Sequence, residues 1–433
     1  MHTNTIKYYL CLPLLLISLV FNMSLALADE LKVYQGLRDN GIISQAEFDR
    51  LSKTIEEENG KTKGETRVKV GNRGKLKIKS ATGDFQYQVG GRIQTDFAVY
   101  DADTKEFTDG TEFRRTRLFV KGRMYKKWLW KAQFDFSSNE TEIKDMYMGY
   151  EFDPMLLRIG QFGESGSLED STSSKYITFM ERSLPVLAFT PAERRVGIAL
   201  SSFHEYGSYS FGIFEDAESA DETESSKGAS ARTSYVPWHS KTEALHLGAS
   251  IQYRTPPEDA VRFRARPEAH VDDQRLVSTD KIMNTNHYSI NGLEAAWVNG
   301  AVSIQGEYIN AKLTRKAKPN DLTFDGYYVY GSWFVTGESR RYEIEDGTFG
   351  RVRPMQNVTD GGIGAWELAL RFSHLNLNDH EIRGGKEDNI TLGLNWYLNP
   401  NIRFMFNYVR VESETNSGDV DPFILQIRAQ IDF

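Results

Sequence analysis

The final eleven residues, Phe423 to Phe433, alternate apolar and polar side chains with a period of two. Phe423, Leu425, Ile427, Ala429, Ile431 and Phe433 share one face, while Ile424, Gln426, Arg428, Gln430 and Asp432 share the other. Successive side chains of a β-strand point to opposite faces. A soluble sheet covers its apolar face with a second layer and leaves the polar face in bulk water. A transmembrane barrel sets the apolar face against lipid and the polar face on a wet lumen. The run ends on an aromatic residue, which a soluble domain has no need of and which bacterial outer-membrane barrels commonly use.

The pattern recurs from residue 84 onward. Phe85, Tyr87, Val89, Gly91, Ile93 and Phe97 alternate with Gln86, Gln88, Gly90, Arg92, Gln94 and Asp96. Further strand-like runs cover 113–124, 128–137, 143–152 and 155–162, and the same alternation returns around Leu245–Ile251, Val302–Tyr308 and Ile390–Trp396. Asn299-Gly300 and Asn399-Pro400-Asn401 read as tight turns. Counting runs predicts an all-β transmembrane barrel of about 16 antiparallel strands over 84–433, wide enough for a water-filled lumen. Polar connections at 102–111, 215–231, 271–284, 314–321 and 376–387 are expected to be the long extracellular loops. No mature stretch holds the roughly 20 apolar residues a spanning helix needs. A net charge of -8 argues against nucleic acid as a partner.

Residues 1–28 read as a secretory signal: Lys7, an apolar run from Leu10 to Val20, then Ala26-Leu27-Ala28. The one cysteine, Cys11, falls inside it, so the mature chain has neither a disulfide nor a thiolate metal site. Residues 29–60 carry apolar positions at helical spacing, with a turn at Asp39-Asn40-Gly41 and a cap at Ser44 followed by Glu47. They predict a short periplasmic helical hairpin or coiled-coil stub. Residues 61–83, polar and rich in glycine, read as a linker.

The basic residues point to chemistry through their phase. Arg115, Arg117, Lys121 and Arg123 share one strand face, opposite Thr116, Leu118, Val120, Gly122 and Met124. A charge on the lipid face costs about 2–4 kcal/mol near the midplane, so the basic face must be the lumen. Arg114 is out of phase and implies a bulge or a strand end. Arg262, Arg264 and Arg266 repeat the spacing, with Phe263 and Ala265 between them. Guanidinium rows bind oxyanions through paired planar donors, and rings of Arg or Lys are a device of anion pores. Asp96, Asp135, Asp145, Glu151, Glu307, Glu367 and Asp432 also fall on the inner face by parity, and carboxylates there could neutralise the row as in a general porin. Residues 163–191 are expected to fold into the barrel as a constriction loop, since the apolar piece Leu184–Phe189 needs cover; Ser173, Ser174 and Lys175 would meet an anion in transit.

These stretches resemble a known family, the phosphate-selective porins of the O and P type. The resemblance runs from about Phe85 to Phe433. It is carried by Val89–Gln94, Phe113–Arg117, Ile159–Phe162, Thr172–Lys175, Glu181-Arg182, Phe263–Glu268, Trp333–Arg340 and Gly364–Leu368. It implies a sixteen-stranded homotrimeric outer-membrane channel, with an arginine ladder leading to a lysine- and serine-lined constriction. By matching position, Arg114, Arg115, Arg264 and Arg266 belong to the ladder, and Ser173 and Ser174 to the constriction. One position departs from the family: a lysine of the phosphate-selective members is replaced by Asp170, whose carboxylate would repel phosphate.

The expectation is therefore a bacterial outer-membrane porin that passes small anions, phosphate or polyphosphate first, by passive diffusion and without a cofactor. Its partners would be those anions, outer-membrane lipid and two further copies of itself. The anion pathway would comprise Arg92, Arg114, Arg115, Arg117, Lys121, Arg123, Arg262, Arg264 and Arg266, with Asp170, Ser173, Ser174 and Lys175 at the constriction. A general, weakly selective diffusion porin is the alternative. An outer-membrane enzyme lacks support, since none of the eight histidines lies in a Gly-x-Ser-x-Gly or His-Glu-x-x-His context. An adhesin barrel would share the strand pattern but pass no steady current.

Overall fold

The computed structural model describes Gln35 and residues 37–61, 66–71, 74–102, 107–137, 141–190, 194–215, 226–316, 320–415 and 418–433. The expected signal segment and the first part of the helical stub lie outside these residues. The described chain falls into two compact units, one holding the N-terminal helix and the other holding 68–79 and 84–433.

In the first unit, helix α1 spans Gln45–Lys61 after a turn at 40–43. Its start is a reciprocal capping box. The Glu47 N–H donates to Ser44 Oγ at 3.2 Å, and the Ser44 N–H donates to the Glu47 carboxylate at 3.1 Å.

The second unit is a closed antiparallel barrel of 16 long strands. They are β1 Gln86–Asp101, β2 Gly110–Met124, β3 Trp128–Asp135, β4 Glu142–Phe152, β5 Met155–Gly163, β6 Arg194–His204, β7 Gly207–Glu215 and β8 Lys227–His239. The second half comprises β9 Glu243–Thr255, β10 Thr285–Asn299, β11 Val302–Arg315, β12 Leu322–Phe334, β13 Ala365–Asp379, β14 Ile382–Tyr397, β15 Ile402–Thr415 and β16 Phe423–Asp432. Each strand pairs with its neighbour in sequence, and β16 closes the wall on β1 with Arg428 opposite Asp96. The terminal Phe433 completes the seam: its N–H donates to the Gly91 carbonyl at 3.1 Å, and Gly91 donates back at 2.9 Å. Closure gives each of the 16 wall strands a partner on both sides, as hydrocarbon surroundings require.

Parity holds around the wall. On β16, Leu425 is 52% exposed on the outside, whereas Arg428 is fully buried on the inside. Arg114 behaves as its phase demands. The register of β1 against β2 shifts between Gln94 and Thr95, so Arg114 forms a bulge. The expected linker, 61–83, carries two short strands, Arg67–Val70 and Leu76–Lys79, the latter paired with β1.

The connections depart from expectation twice. Residues 376–387 are not a loop: β13 runs to Asp379 and β14 starts at Ile382, because the polar residues there are strand ends in register. The longest connection at the short-turn end, 335–364, was not foreseen. It enters the barrel and buries Phe349 and Val352.

The apolar core lies inside the barrel. Helix α2 (Leu168–Ser171) and helix α3 (Leu184–Phe189) belong to the long connection between β5 and β6. Leu184, Val186, Ala188 and Phe189 pack against Phe263, Ile309 and Phe324. Each such large side chain contributes roughly 1.5–3 kcal/mol on burial, which holds the connection within the wall.

Candidate functional site in the lumen

The inward connection 164–190 is tied to the wall by charge as well as by oil. Arg428 on β16 bonds Asp96 on β1 at 2.5 and 2.6 Å and Glu181 of the connection at 2.7 Å. Glu181 also receives both Arg114 donors, at 2.8 and 2.9 Å. Opposite, Arg371 on β13 bonds Glu268 at 2.5 Å and reaches Glu169 at 3.4 Å. Glu169 further accepts from the Ser183 N–H at 2.9 Å and its hydroxyl at 2.8 Å. Glu307 accepts from the Leu168 and Glu169 N–H groups at 2.9 and 2.8 Å. Buried charges of this kind are tolerable because the arginines are paired with carboxylates and Glu307 is held by two backbone N–H groups and the Tyr328 hydroxyl.

Two large cavities border the inward connection among the described residues. One, of about 780 Å³, lies along the inner faces of β1–β8. It gathers Arg92, Arg115, Arg117, Lys121, Asp170, Ser173, Ser174 and Lys175, so eight of the expected site residues come together there. The other, of about 610 Å³, gathers Arg262, Arg264 and Arg266 with Arg275 and Lys281. Its floor includes Glu181, Leu187 and Ala188, so the inward connection borders both cavities.

Individual environments differ sharply. Arg92 is 6% exposed and donates to Ser174 Oγ at 2.8 Å. Arg115 donates to Gln94 at 3.0 Å, and Arg117 bonds Asp135 at 2.5 Å. Lys121 is exposed within the cavity. Arg114 lines neither cavity because Glu181 engages it. Arg123 sits at the short-turn rim with Glu151, at 2.6 Å. Lys175 has its ammonium 3.7 Å from Asp432 and 5.2 Å from the Tyr176 ring centre. Burial pulls Lys175 down to about 8, against the pull of Asp432. Lys75, half-buried and close to Lys175, is likewise pulled down to about 8 by partial burial and by the Lys175 charge.

Asp170 is not the bare repulsive charge its sequence position suggested. Its N–H donates to Ser167 Oγ at 3.0 Å, and its carboxylate lies 3.7 Å from Arg182. Burial pushes its carboxyl above the usual range, and Arg182 opposes that shift. The three arginines Arg262, Arg264 and Arg266 are also placed differently from expectation. They stand on the connection 256–284 rather than on a wall strand, with only Arg264-Ala265 in a two-residue bridge to Val277-Ser278. Phe263 and Ala265 face the interior apolar core, not lipid. The alternation was real, but its apolar side is covered by protein.

Sequence reasoning missed Lys75, Lys131, Arg158, Arg182, Arg194, Arg232 and Arg351 in the larger cavity. Lys131 was legible, since it alternates with outward Trp130 and Ala132. Arg351 was not. It belongs to 335–364, where no strand pattern says which way a side chain points, yet it bonds Asp432 at 2.9 Å and Tyr176 at 3.2 Å.

A family model described as phosphate-selective porin O and P matches residues 87–433. The chain belongs to the phosphate-selective porin O and P family. This porin is therefore a channel of the bacterial outer membrane rather than an enzyme. It is 29% identical over 402 residues to Porin O of Pseudomonas aeruginosa, covering 82% of this chain and 90% of that one. It is 34% identical over 355 residues to an uncharacterised protein of Caulobacter vibrioides, covering 76% and 69%. Among solved structures, OmpT of Vibrio cholerae matches with a TM-score of 0.53 at 11% identity, over 81% of this porin and 98% of OmpT. An anion-selective porin from Comamonas acidovorans matches with 0.50 at 13% identity, over 81% and 100%. At such identities these two likenesses concern the fold of the porin.

Proposed function

We propose that this porin passes small anions by diffusion, phosphate foremost, from the Arg262–Arg266 funnel past the inward connection into the β1–β8 cavity. One observation carries the reading: the residues lining that cavity include twelve lysines and arginines against six aspartates and glutamates, and the cations still outnumber the acids when Asp135, Glu294 and Asp432, which pair with Arg117, Arg232, Arg351 and Lys175 from behind the lining, are counted in. Among the described residues, neither Arg92 nor Lys121 has a carboxylate partner, and Ser173 and Ser174 add hydroxyl donors beside them. Guanidinium, ammonium and hydroxyl donors together suit the several oxygens of phosphate. We read the 164–190 connection as the constriction and the outward apolar wall as the lipid contact. We also read the porin as a homotrimer. The family membership supports that assembly, as does the likeness in fold to OmpT, of which a trimer form is known.

In planar bilayers carrying chloride, added phosphate is expected to reduce the current at concentrations where added chloride does not. A current indifferent to phosphate would leave a weakly selective diffusion pore. An unheated denaturing gel with cross-linking should report a trimer; a monomer band alone would remove the assembly.

A further inference from the structure

Residues 335–364 enter the lumen from the periplasmic end, and their tip is anchored. Gly347 holds φ +60°, where an added Cβ would lie 2.7 Å from Ser208 Oγ. Its carbonyl accepts from Arg232 at 2.8 Å. The Tyr342 hydroxyl lies 2.7 Å from His246 Nδ1. Between these anchors, Glu345 and Asp346 border the cationic cavity and are exposed to it. Neither has a hydrogen-bond or ion-pair partner among the described residues, whereas Glu343 is held by Arg341 at 3.0 Å. Across the same cavity, Arg92 is nine-tenths buried and its Nε has no partner.

A well lined with cations attracts anions and also retains them. Conduction needs binding strong enough to admit an ion and weak enough to release it. Unpaired carboxylates on a fixed tip oppose the field of the guanidiniums without neutralising any one of them. They stand on the short-turn side of the cavity, beside Ser208 at the start of β7, the side we read as periplasmic.

We propose that Glu345 and Asp346 are the release element of the pore: their charge sets how tightly an anion is held in the β1–β8 cavity and how fast it exits. This rests on the anion reading above. It assigns the trade between affinity and flux to two residues of the periplasmic connection.

The test is the double variant E345Q/D346N of the full-length porin in planar bilayers, with inorganic phosphate titrated against chloride current from each side. The half-blocking phosphate concentration is expected to fall about threefold or more, as removing two charges within a screening length predicts. The change should be larger for phosphate added on the periplasmic side, and phosphate flux into liposomes at saturating concentration should drop. E345K/D346K should move both quantities further the same way. An unchanged or weaker block in both variants overturns the assignment while the anion reading stands. A wild-type pore with no anion preference overturns the reading beneath it, and that result is visible before any variant is compared.

Discussion

The two halves of the barrel use the same residue types to opposite ends. Against β10–β16 the lumen is filled: Arg371 and Arg428 are fully buried, each is held by carboxylates from two directions, and the apolar core around Phe263 and Phe324 packs beside them. Along β1–β8 the lumen is open, and there the cations outnumber the acids. An inward arginine is therefore not by itself a sign of conduction. Its partners decide: a guanidinium locked by two carboxylates builds the wall, and one left with only a serine hydroxyl builds a path.

The contrast is broken most severely at Arg428. R428A leaves Asp96 buried without its cation, while Glu181 keeps Arg114, and breaking a buried pair in this way costs about 3–5 kcal/mol. Thermal unfolding in detergent should shift by that amount, while R92A should change stability far less. R92A sharpens the comparison from the other side. It should weaken phosphate block about threefold to tenfold, as loss of one unscreened charge in the path predicts, with the wall intact on an unheated gel.

A pH series tests the open half alone. Lys175 and Lys75 are pulled down by burial to about 8, so both are charged at pH 7 and lose their protons as pH rises through 8. Chloride preference, measured by reversal potential because chloride does not titrate, should decline between pH 7 and 9. K175M should start lower and flatten that decline; an unaltered slope would take Lys175 out of the path. The smallest effect belongs to D170N. Asp170 already faces Arg182, so removing its charge should alter phosphate block by less than about twofold.

Much of this division was legible from residue phase. The period of two put Arg92, Arg115, Arg117 and Arg428 inside without any structure, since lipid forbids the alternative. Arg114 declared its bulge by being one residue out of step. Phase could not say which inward arginine meets a carboxylate, because Arg428 meets Asp96 across the closing seam, 332 residues apart. Nor could it place Arg264, whose alternation belongs to a connection folded on protein. The 335–364 connection broke the strand pattern, and a broken pattern gives no direction to Glu345 or Arg351.

The central claim is that the open half of the lumen carries net positive charge toward passing ions. Its most direct measurement is the zero-current potential of the wild-type porin in a potassium chloride gradient. The account predicts a value displaced toward the chloride equilibrium potential, and a displacement toward that of potassium would contradict it.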